Sequence, residues 1–369
     1  MKKIKLISVV GARPQFIKLA PLAHEIAAHH ADIEHIIVHT GQHYDYAMSQ
    51  HFFDELKIPS PKYNLEVGSA RHVVQMANIM TRLDAILEAE KPNLVLVFGD
   101  TNSTAAAAIT TAKNHIPLAH VEAGLREFNK TIPEEINKLL TDSVCDLYFP
   151  PTETGVWNLR AAGITKNIFK TGDIGFDLIF NNLDKINSIS SEILSRYEIK
   201  KDNYFFVTSH RASNAAQPEQ LKEILQALKQ LQTVVIFPAH PRTREIVTQN
   251  GFDEIIEKSN IKFIEPIGFF ETQALIRNSK MVLTDSGGVT KEAYFHHRPC
   301  VILQEQIEWL EIVDEGWAKL CAPKAEKIVE IAQNFEMPTQ HRAQLGDGTA
   351  AQKIISAIRL FLIDKKLDL

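Results

Sequence analysis

Short apolar runs alternate along this chain with longer stretches whose apolar positions recur at helical spacing. In the first half the runs IKLISVVG, EHIIVHTG, NLVLVFGD and PLAHVEAG each close on a glycine or a charged residue. Between them PQFIKLAPLAHEIAAHH, VVQMANIMTRLDAILEAE and STAAAAITTAKNH carry the helical period. The second half repeats the scheme with NYFFVTSHR, TVVIFPAHP, IKFIEPIG, MVLTDSGG and PCVILQ. Strands that are apolar almost throughout must be covered on both faces, so the alternation predicts an α/β chain with parallel sheets flanked by helices. TGDIGFD reads as the last loop of the first half, and the more polar NNLDKINSISSEILSRYEIKKDN as the seam. Two Rossmann-like domains are expected, residues 1–175 and 176–350, with strand ends directed at a shared cleft. In open parallel sheets ligands bind beyond the carboxyl ends of strands, so those ends are the residues to read.

Composition narrows the partners. A length of 369 residues exceeds one ordinary core and suits two domains. Hydrophobic residues at 45% with charged residues at 23% fit a soluble globular chain. The formal charge of −5 offers no basic field for nucleic acid and no polybasic patch for a membrane surface. Cys145, Cys300 and Cys321 lie far apart without C-x-x-C spacing, so no disulfide framework or thiolate metal site is expected. A reducing cytoplasm is the simplest location for such a chain. The amino-terminal MKKIKLISVVGARP starts with charge, but Gly11, Arg13 and Pro14 interrupt its apolar run; a first strand is expected, not a signal peptide. No apolar run approaches the ~20 residues that span a bilayer.

The strand ends carry the candidate chemistry. TDSGGVTKEA sets Ser286, Gly287 and Gly288 between a strand and a helix. Unpaired N–H groups and the positive end of the helix dipole suit an anion there, and glycines let it approach the backbone. Glu292, one turn further on, is placed to accept from the hydroxyls of a ribose. An ordinary tight turn would use the same residues. No G-x-G-x-x-G occurs, so no nicotinamide cofactor is expected. Arg13 and Lys18 open the first helix, His210 and Arg211 close the first strand of the second domain, and His240, Arg242 and Arg244 follow the next strand. Such cations suit a diphosphate, although surface salt bridges explain Arg242 and Arg244 as well.

Asp100 and Glu122 each end a strand on the side where ligand is expected. Asp100 could instead cap the helix starting near Thr101. Thr131-x-x-Glu134 with Pro133 matches a capping box, which on spacing alone makes Glu134 a cap residue. Glu135 reads as a first-turn charge favourable to the dipole. Glu122, in the loop-like EAGLRE, has no such structural use. Three carboxylates with a diphosphate cradle point to proton transfer on a nucleotide-linked substrate. No His, Cys and Asp set has metal-ligand spacing, and no G-x-S-x-G nucleophile elbow is present.

GARPQFIKLAPL, HTGQHYD, GDTNST, HVEAGLR, PEEIN, SHR and TDSGGVTKEA occur in this order, from about Val9 to the last helix. On these motifs the chain resembles the non-hydrolysing UDP-N-acetylglucosamine 2-epimerases. The resemblance implies a glycosyltransferase-B type fold whose C-terminal helix, residues 351–369 with AAQKIISAIRLFL, packs back on the N-terminal domain. It implies interconversion of UDP-GlcNAc and UDP-ManNAc for surface polysaccharide precursors, without cofactor or metal, by a homodimer. The sugar C2–H has no neighbouring carbonyl, so direct carbanion formation is prohibitively uphill. Loss of UDP from C1 builds positive character there and makes C2–H removable, giving a 2-acetamidoglucal to which UDP re-adds. By motif, Asp100, Glu122 and Glu134 match the acid/base carboxylates, and His210 the leaving-group contact. Arg13, Lys18, Gln42, His43, Arg211, Ile267, Ser286, Gly287, Gly288 and Glu292 match substrate- and UDP-binding positions. Gln42, His43 and Arg71 also match a second, activating UDP-GlcNAc site of bacterial members, in which Asp45 replaces a common glutamine.

Three departures bear on specificity. Many relatives have Glu where this chain has Gln15 and Ser213, and an arginine contacting substrate where it has Trp309. Gln15 and Trp309 resemble the branch acting on UDP-2,3-diacetamido-2,3-dideoxyglucuronate, an O-antigen precursor. Losing an acid at residue 15 eases binding of a C6 carboxylate if that residue faces the sugar. A glycosyltransferase would share the cradle but need no carboxylates around C2. A non-catalytic UDP-sugar sensor would tolerate loss of Asp100 or Glu122, and a hydrolysing epimerase has different motifs.

Overall fold

A computed structural model describes residues 3–42, 46–209, 218–257 and 259–367. The chain divides into two compact units, Met1–Asn181 with Ala343–Leu369, and Asn182–Arg342. In the first, strands β1 (Ile4–Val10), β2 (Ile33–His39), β3 (Tyr63–Asn64), β4 (Leu94–Phe98), β5 (Leu118–Val121) and β6 (Leu147–Phe149) form one sheet in the order β3-β2-β1-β4-β5-β6. Every pairing is parallel. Helices α1 (Arg13–His29), α2 (Tyr46–Glu55), α3 (His72–Glu90), α4 (Asn102–Lys113), α5 (Pro133–Val144), α6 (Glu153–Ala161) and α7 (Ile174–Phe180) complete it. All five residues of β4 are buried, as a strand covered on both faces requires. The alanines Ala105 to Ala108 of α4 are fully buried, and their small side chains let it pack closely against α3 and α5. Because chain order runs outward from β1 in one direction and from β4 in the other, a crevice opens at the carboxyl ends of these two strands.

The second unit repeats the design. Strands β7 (Tyr204–Thr208), β8 (Val234–Pro238), β9 (Ile261–Ile264), β10 (Met281–Thr284), β11 (Cys300–Ile302) and β12 (Ala318–Leu320) are ordered β12-β11-β10-β7-β8-β9, again all parallel. Its helices are α8 (Leu183–Arg196), α9 (Pro218–Gln230), α10 (Pro241–Gln249), α11 (Asp253–Glu257), α12 (Phe269–Asn278), α13 (Gly287–Phe295), α14 (Leu310–Asp314) and α15 (Ala325–Gln333). Here the switch in strand order falls between β7 and β10. The polar stretch read as a seam contains α8, which buries Ile186 and Ile193.

The last helix, α16 (Ala350–Leu367), belongs to the first unit, as expected. Asp177 of α7 accepts from the Ala350 N–H at 3.1 Å and the Ala351 N–H at 2.8 Å, satisfying donors that a helix start leaves unpaired. Further along α16, Arg359 grips Asp32 with two parallel bonds of 2.9 and 2.7 Å. The chain leading to α16 crosses Gly172 so closely that a Cβ there would come within 2.7 Å of the Gly346 Cα.

Burial pushes the Asp177 carboxyl up to about 6, against the opposing pull of the two N–H bonds. The folded chain therefore holds a proton on Asp177 that the unfolded chain releases near its ordinary value of 3.8. Its contribution to stability is full below that value and is lost as pH rises through about 6. Wild-type unfolding free energy should fall relative to Asp177→Asn across this window, by up to about 1.4 kcal/mol per pH unit. Parallel pH profiles from urea titrations of the two proteins would contradict this.

Candidate active site

At the β1/β4 crevice the first helix sets the geometry. Gln15 of α1 is buried, and its carboxamide is used completely. Its Oε1 accepts from the Gly11 N–H at 2.7 Å and the Ala12 N–H at 3.1 Å. Its Nε2 donates to the Phe98 carbonyl and to Thr104 Oγ1, both at 3.0 Å. Gln15 thus staples the turn after β1 to the end of β4 and to α4. The link expected between Gln15 and a C6 carboxylate would thus require a side chain already engaged in four internal bonds. Gly11 has to be glycine, because a Cβ would overlap Thr40 Oγ1 and Ser103 Oγ. Gln42 reaches the same corner, with its Oε1 accepting from the Ser103 hydroxyl at 2.6 Å and the Ser103 N–H at 3.1 Å.

The carboxylates lie at the next strand ends. Phe98 of β4 pairs with Val121 of β5, so Gly99 and Glu122 leave the sheet at the same level. Both adopt left-handed backbone, Gly99 at φ +61 and Glu122 at φ +74. That conformation is uncommon for a residue with a side chain and concentrates at functional sites. The Glu122 carboxylate is nearly buried and in direct contact with the Lys18 ammonium. A Cβ on Gly99 would stand 3.0 Å from Lys18 Nζ and 3.3 Å from Glu122 Oε2, so glycine makes room for the pair. Lys18, expected at a phosphate, is paired here with Glu122.

Asp100 follows, about one-third exposed at 32%, with its Oδ2 3.7 Å from the buried ammonium of Lys138. Lys138 also lies 3.5 Å from Glu127. The N-cap of α4 is Thr101, whose side chain accepts from the Thr104 N–H at 3.3 Å, so Asp100 does not cap that helix. The Thr131–Glu134 capping box is also absent. Ile132 is the N-cap of α5, and the Thr131 hydroxyl donates to Asn129 Oδ1 at 2.7 Å instead. Glu134 is exposed in the first turn, whereas Glu135 is buried and accepts from the backbone N–H groups of Glu127 and Phe128 at 2.8 and 3.2 Å. Arg13 is exposed, with its guanidinium 4.6 Å from the Phe52 ring centre, and Arg71 is the exposed N-cap residue of α3. The structure therefore joins Lys18, Gly99 and Glu122, with Asp100 adjacent in the chain. No contact among the described residues joins Glu134 to them.

Sequence reading missed the support beneath these strand ends. On α5, Glu135, Asn137, Lys138, Thr141 and Asp142 are buried, while Ile136, Leu140 and Val144 are exposed. Asp142 accepts from Arg126 at 2.6 Å and from the Gly124 N–H at 3.1 Å, and lies 2.7 Å from His120 Nδ1. Burial would raise the Asp142 carboxyl, but the charges and hydrogen bonds of His120 and Arg126 outweigh it and hold it below its ordinary value. A helix whose polar side faces inward was legible in the spacing of PEEINKLLTDSV, had its charged stripe been taken as buried.

In the second unit, α13 starts at Gly287, as the sequence implied. Ser286 is its N-cap, and its Oγ accepts from the Val289 N–H at 3.4 Å. Beneath it the buried Asp285 accepts from Ser209 Oγ at 3.0 Å, and Thr284 Oγ1 accepts from the Ser286 N–H at 3.0 Å. Gly288 is exposed, and among the described residues only Ser286 Oγ lies near the place of its Cβ, at 3.7 Å. The Gly287 Cβ would stand 3.2 Å from Trp309 Nε1. Trp309 is buried, with the Lys291 ammonium 4.2 Å from its ring centre. Glu292 is half-buried one turn into α13, and Ile267 is half-buried in the loop before α12. His240 caps α10, accepting from the Arg242 N–H at 3.2 Å, while Arg244 pairs with Glu265 at 3.3 Å. His43, Asp45, His210, Arg211 and Ser213 lie outside the described residues.

Comparison with known proteins supplies a family context. A family model described as UDP-N-acetylglucosamine 2-epimerase matches residues 25–359. A Methanococcus maripaludis protein named UDP-N-acetylglucosamine 2-epimerase homolog is 45% identical over 358 residues, 96% of this chain and 99% of that one. A Pseudomonas aeruginosa UDP-2,3-diacetamido-2,3-dideoxy-D-glucuronate 2-epimerase is 39% identical, covering 95% of this chain and 98% of its own. Among solved structures, the Methanocaldococcus jannaschii UDP-GlcNAc 2-epimerase in complex with UDP-GlcNAc and UDP superimposes with a TM-score of 0.88 at 36% identity, covering 96% of this chain and 99% of that one.

The Gln15 staple yields a direct test. In Gln15→Glu a carboxylate oxygen would replace the Nε2 donor 3.0 Å from the Phe98 carbonyl, leaving two acceptors facing each other. Urea unfolding at neutral pH should show a loss of about 1–3 kcal/mol, recovered in part on acidification as the new carboxyl takes up a proton. Unchanged stability at both pH values would show that the staple is dispensable.

Proposed function

Because the chain belongs to the UDP-N-acetylglucosamine 2-epimerase family, we propose that it inverts C2 of a UDP-linked 2-acetamido sugar without hydrolysing it. The observation that carries this reading is Glu122, held in left-handed backbone against Lys18 at a strand end, with Asp100 close by in the chain. Proton exchange at C2 needs a base on one face of the sugar and an acid on the other. In this reading Glu122 and Asp100 handle those protons, with Glu134 as the third carboxylate assigned by motif. Lys18 places a positive charge directly beside the Glu122 carboxylate and fixes its position.

The nucleotide end of the substrate is assigned to the second unit. Departure of UDP from C1 leaves a diphosphate that must be held while the glycal persists. The start of α13, with the Ser286 hydroxyl and the N–H groups of Gly287 and Gly288, suits that charge. Glu292 is assigned to the ribose hydroxyls, and Ile267 to the nucleotide. Arg13, Gln42, His43, His210 and Arg211 keep their roles on motif alone. UDP-GlcNAc is the first substrate to test. The similarity to the Pseudomonas enzyme keeps the diacetamido-glucuronate sugar as the second. Either product would feed a surface polysaccharide.

A homodimer formed through α5 belongs to the same proposal. Ile136, Leu140 and Val144 fall four residues apart along one stripe of that helix and are exposed, which suits burial against a second copy. The described helices include none long and apolar enough to cross a membrane.

Incubation of the protein with each UDP-sugar in deuterated water, followed by NMR, tests the activity. Deuterium should enter C2 of an intact UDP-sugar, and Glu122→Gln should lower the rate by at least about 10²-fold. Free UDP with free sugar, or no exchange with either substrate, would overturn the reading. For the assembly, the double variant Ile136→Asp, Leu140→Asp should sediment as a monomer beside a dimeric wild type. A monomeric wild type would contradict the proposed interface.

A further inference from the structure

The end of β4 is released from its sheet in an unusual way. The Gly99 N–H still donates to the Val121 carbonyl at 3.0 Å, as a ladder residue should. Its carbonyl does not continue the ladder. It accepts instead from the side chain of His120, whose Nε2 lies 2.8 Å away. A carbonyl can only accept, so Nε2 carries the proton in this contact. The next carbonyl, that of Asp100, is also taken by a side chain, Asn137 Nδ2 at 2.9 Å. The two consecutive peptides on either side of the Asp100 Cα are therefore each held by a side chain. His120 is fully buried, and its other nitrogen lies 2.7 Å from Asp142 Oδ1, so the imidazole cannot swing away from Gly99. Asp142 is fixed in turn by Arg126 and the Gly124 N–H, at 2.6 and 3.1 Å.

The geometry points to His120, oriented by Asp142, as a positioning residue that fixes the left-handed Gly99 turn and so aims the Asp100 and Glu122 carboxylates. This rests on the proposed proton chemistry at those two acids. The Gly99 turn is where both effects meet. At φ +61 its missing Cβ leaves room for Lys18 Nζ and Glu122 Oε2, which stand 3.0 and 3.3 Å from where that Cβ would be. Rotation of that peptide would move the Asp100 carboxylate and close the space beside Glu122 together. His120 is fully buried and acts through Gly99 and Asp142, so on this inference its loss affects the chemical step and leaves nucleotide binding alone.

Two variants separate positioning from bulk structure. Gln at this position can place an amide nitrogen near that of Nε2 and keep the bond to Gly99, whereas Asn is too short to reach it. With the UDP-sugar that the wild type exchanges, His120→Asn should lower kcat for C2 deuterium uptake by about 10²-fold. KM and the calorimetric Kd for UDP should stay within about twofold, and His120→Gln should recover most of kcat. Asp142→Asn, which keeps shape but weakens the hold on the ring, should fall between them. A His120→Asn protein with near-normal kcat would overturn the inference. So would equal losses in the Asn and Gln variants accompanied by weakened UDP binding, which mark a general loss of structure. A wild type that exchanges with neither sugar defeats the underlying reading, and this inference with it, before any variant is compared.

Discussion

A parallel strand that stops inside a protein leaves a carbonyl whose partner must come from somewhere other than the ladder. Leaving such a group unpaired costs about 1–3 kcal/mol, a large share of the stability of any domain. The first unit answers this at the end of β4 with side chains. Gln15 and Thr104 serve the Phe98 carbonyl, His120 serves Gly99, and Asn137 serves Asp100. These bonds turn the crevice between β1 and β4 into a rigid rim. The carboxylates on that rim can then be held at fixed places, with lysines beside them.

Helix α5 makes this possible by facing the wrong way for an ordinary surface helix. Its polar side is buried because the rim needs donors and acceptors, and its apolar side is left outside. The fold and the proposed assembly thus have one origin. A helix that serves the site from its polar face must find cover for Ile136, Leu140 and Val144 elsewhere. In the second unit the corresponding demand is simpler. Ser286 caps α13, Thr284 holds the Ser286 N–H, and Ser209 holds Asp285, which leaves Gly288 exposed at the helix start proposed above for the diphosphate.

Much of this was legible in the sequence. The apolar runs marked β1, β2, β4 and β5, because fully buried strands show themselves as unbroken apolar stretches. Strands β3, β6 and β12, of two or three residues each, are too short to show any period. The strand-end acids Asp100 and Glu122 stood out, Glu122 because it had no structural use there and Asp100 although it could also have capped the next helix. Glu134 illustrates the limit: a spacing that matches a capping box says nothing of which residue takes the cap, and Ile132 took it. Gln15 illustrates another. Its departure from a familiar pattern gave no sign that the side chain makes four internal hydrogen bonds. The roles of His120, Lys138 and Asp142 could not be read because their meaning depends on contacts between distant segments.

The central claim is that the C1–oxygen bond breaks and re-forms while UDP stays bound and the rim carboxylates exchange the C2 proton. Positional isotope exchange reads this directly. A UDP-sugar carrying heavy oxygen at the bridge between C1 and the β-phosphorus should scramble its label into the non-bridging β-positions, in step with deuterium uptake at C2. Epimerised sugar whose label remains entirely in the bridge would contradict the account.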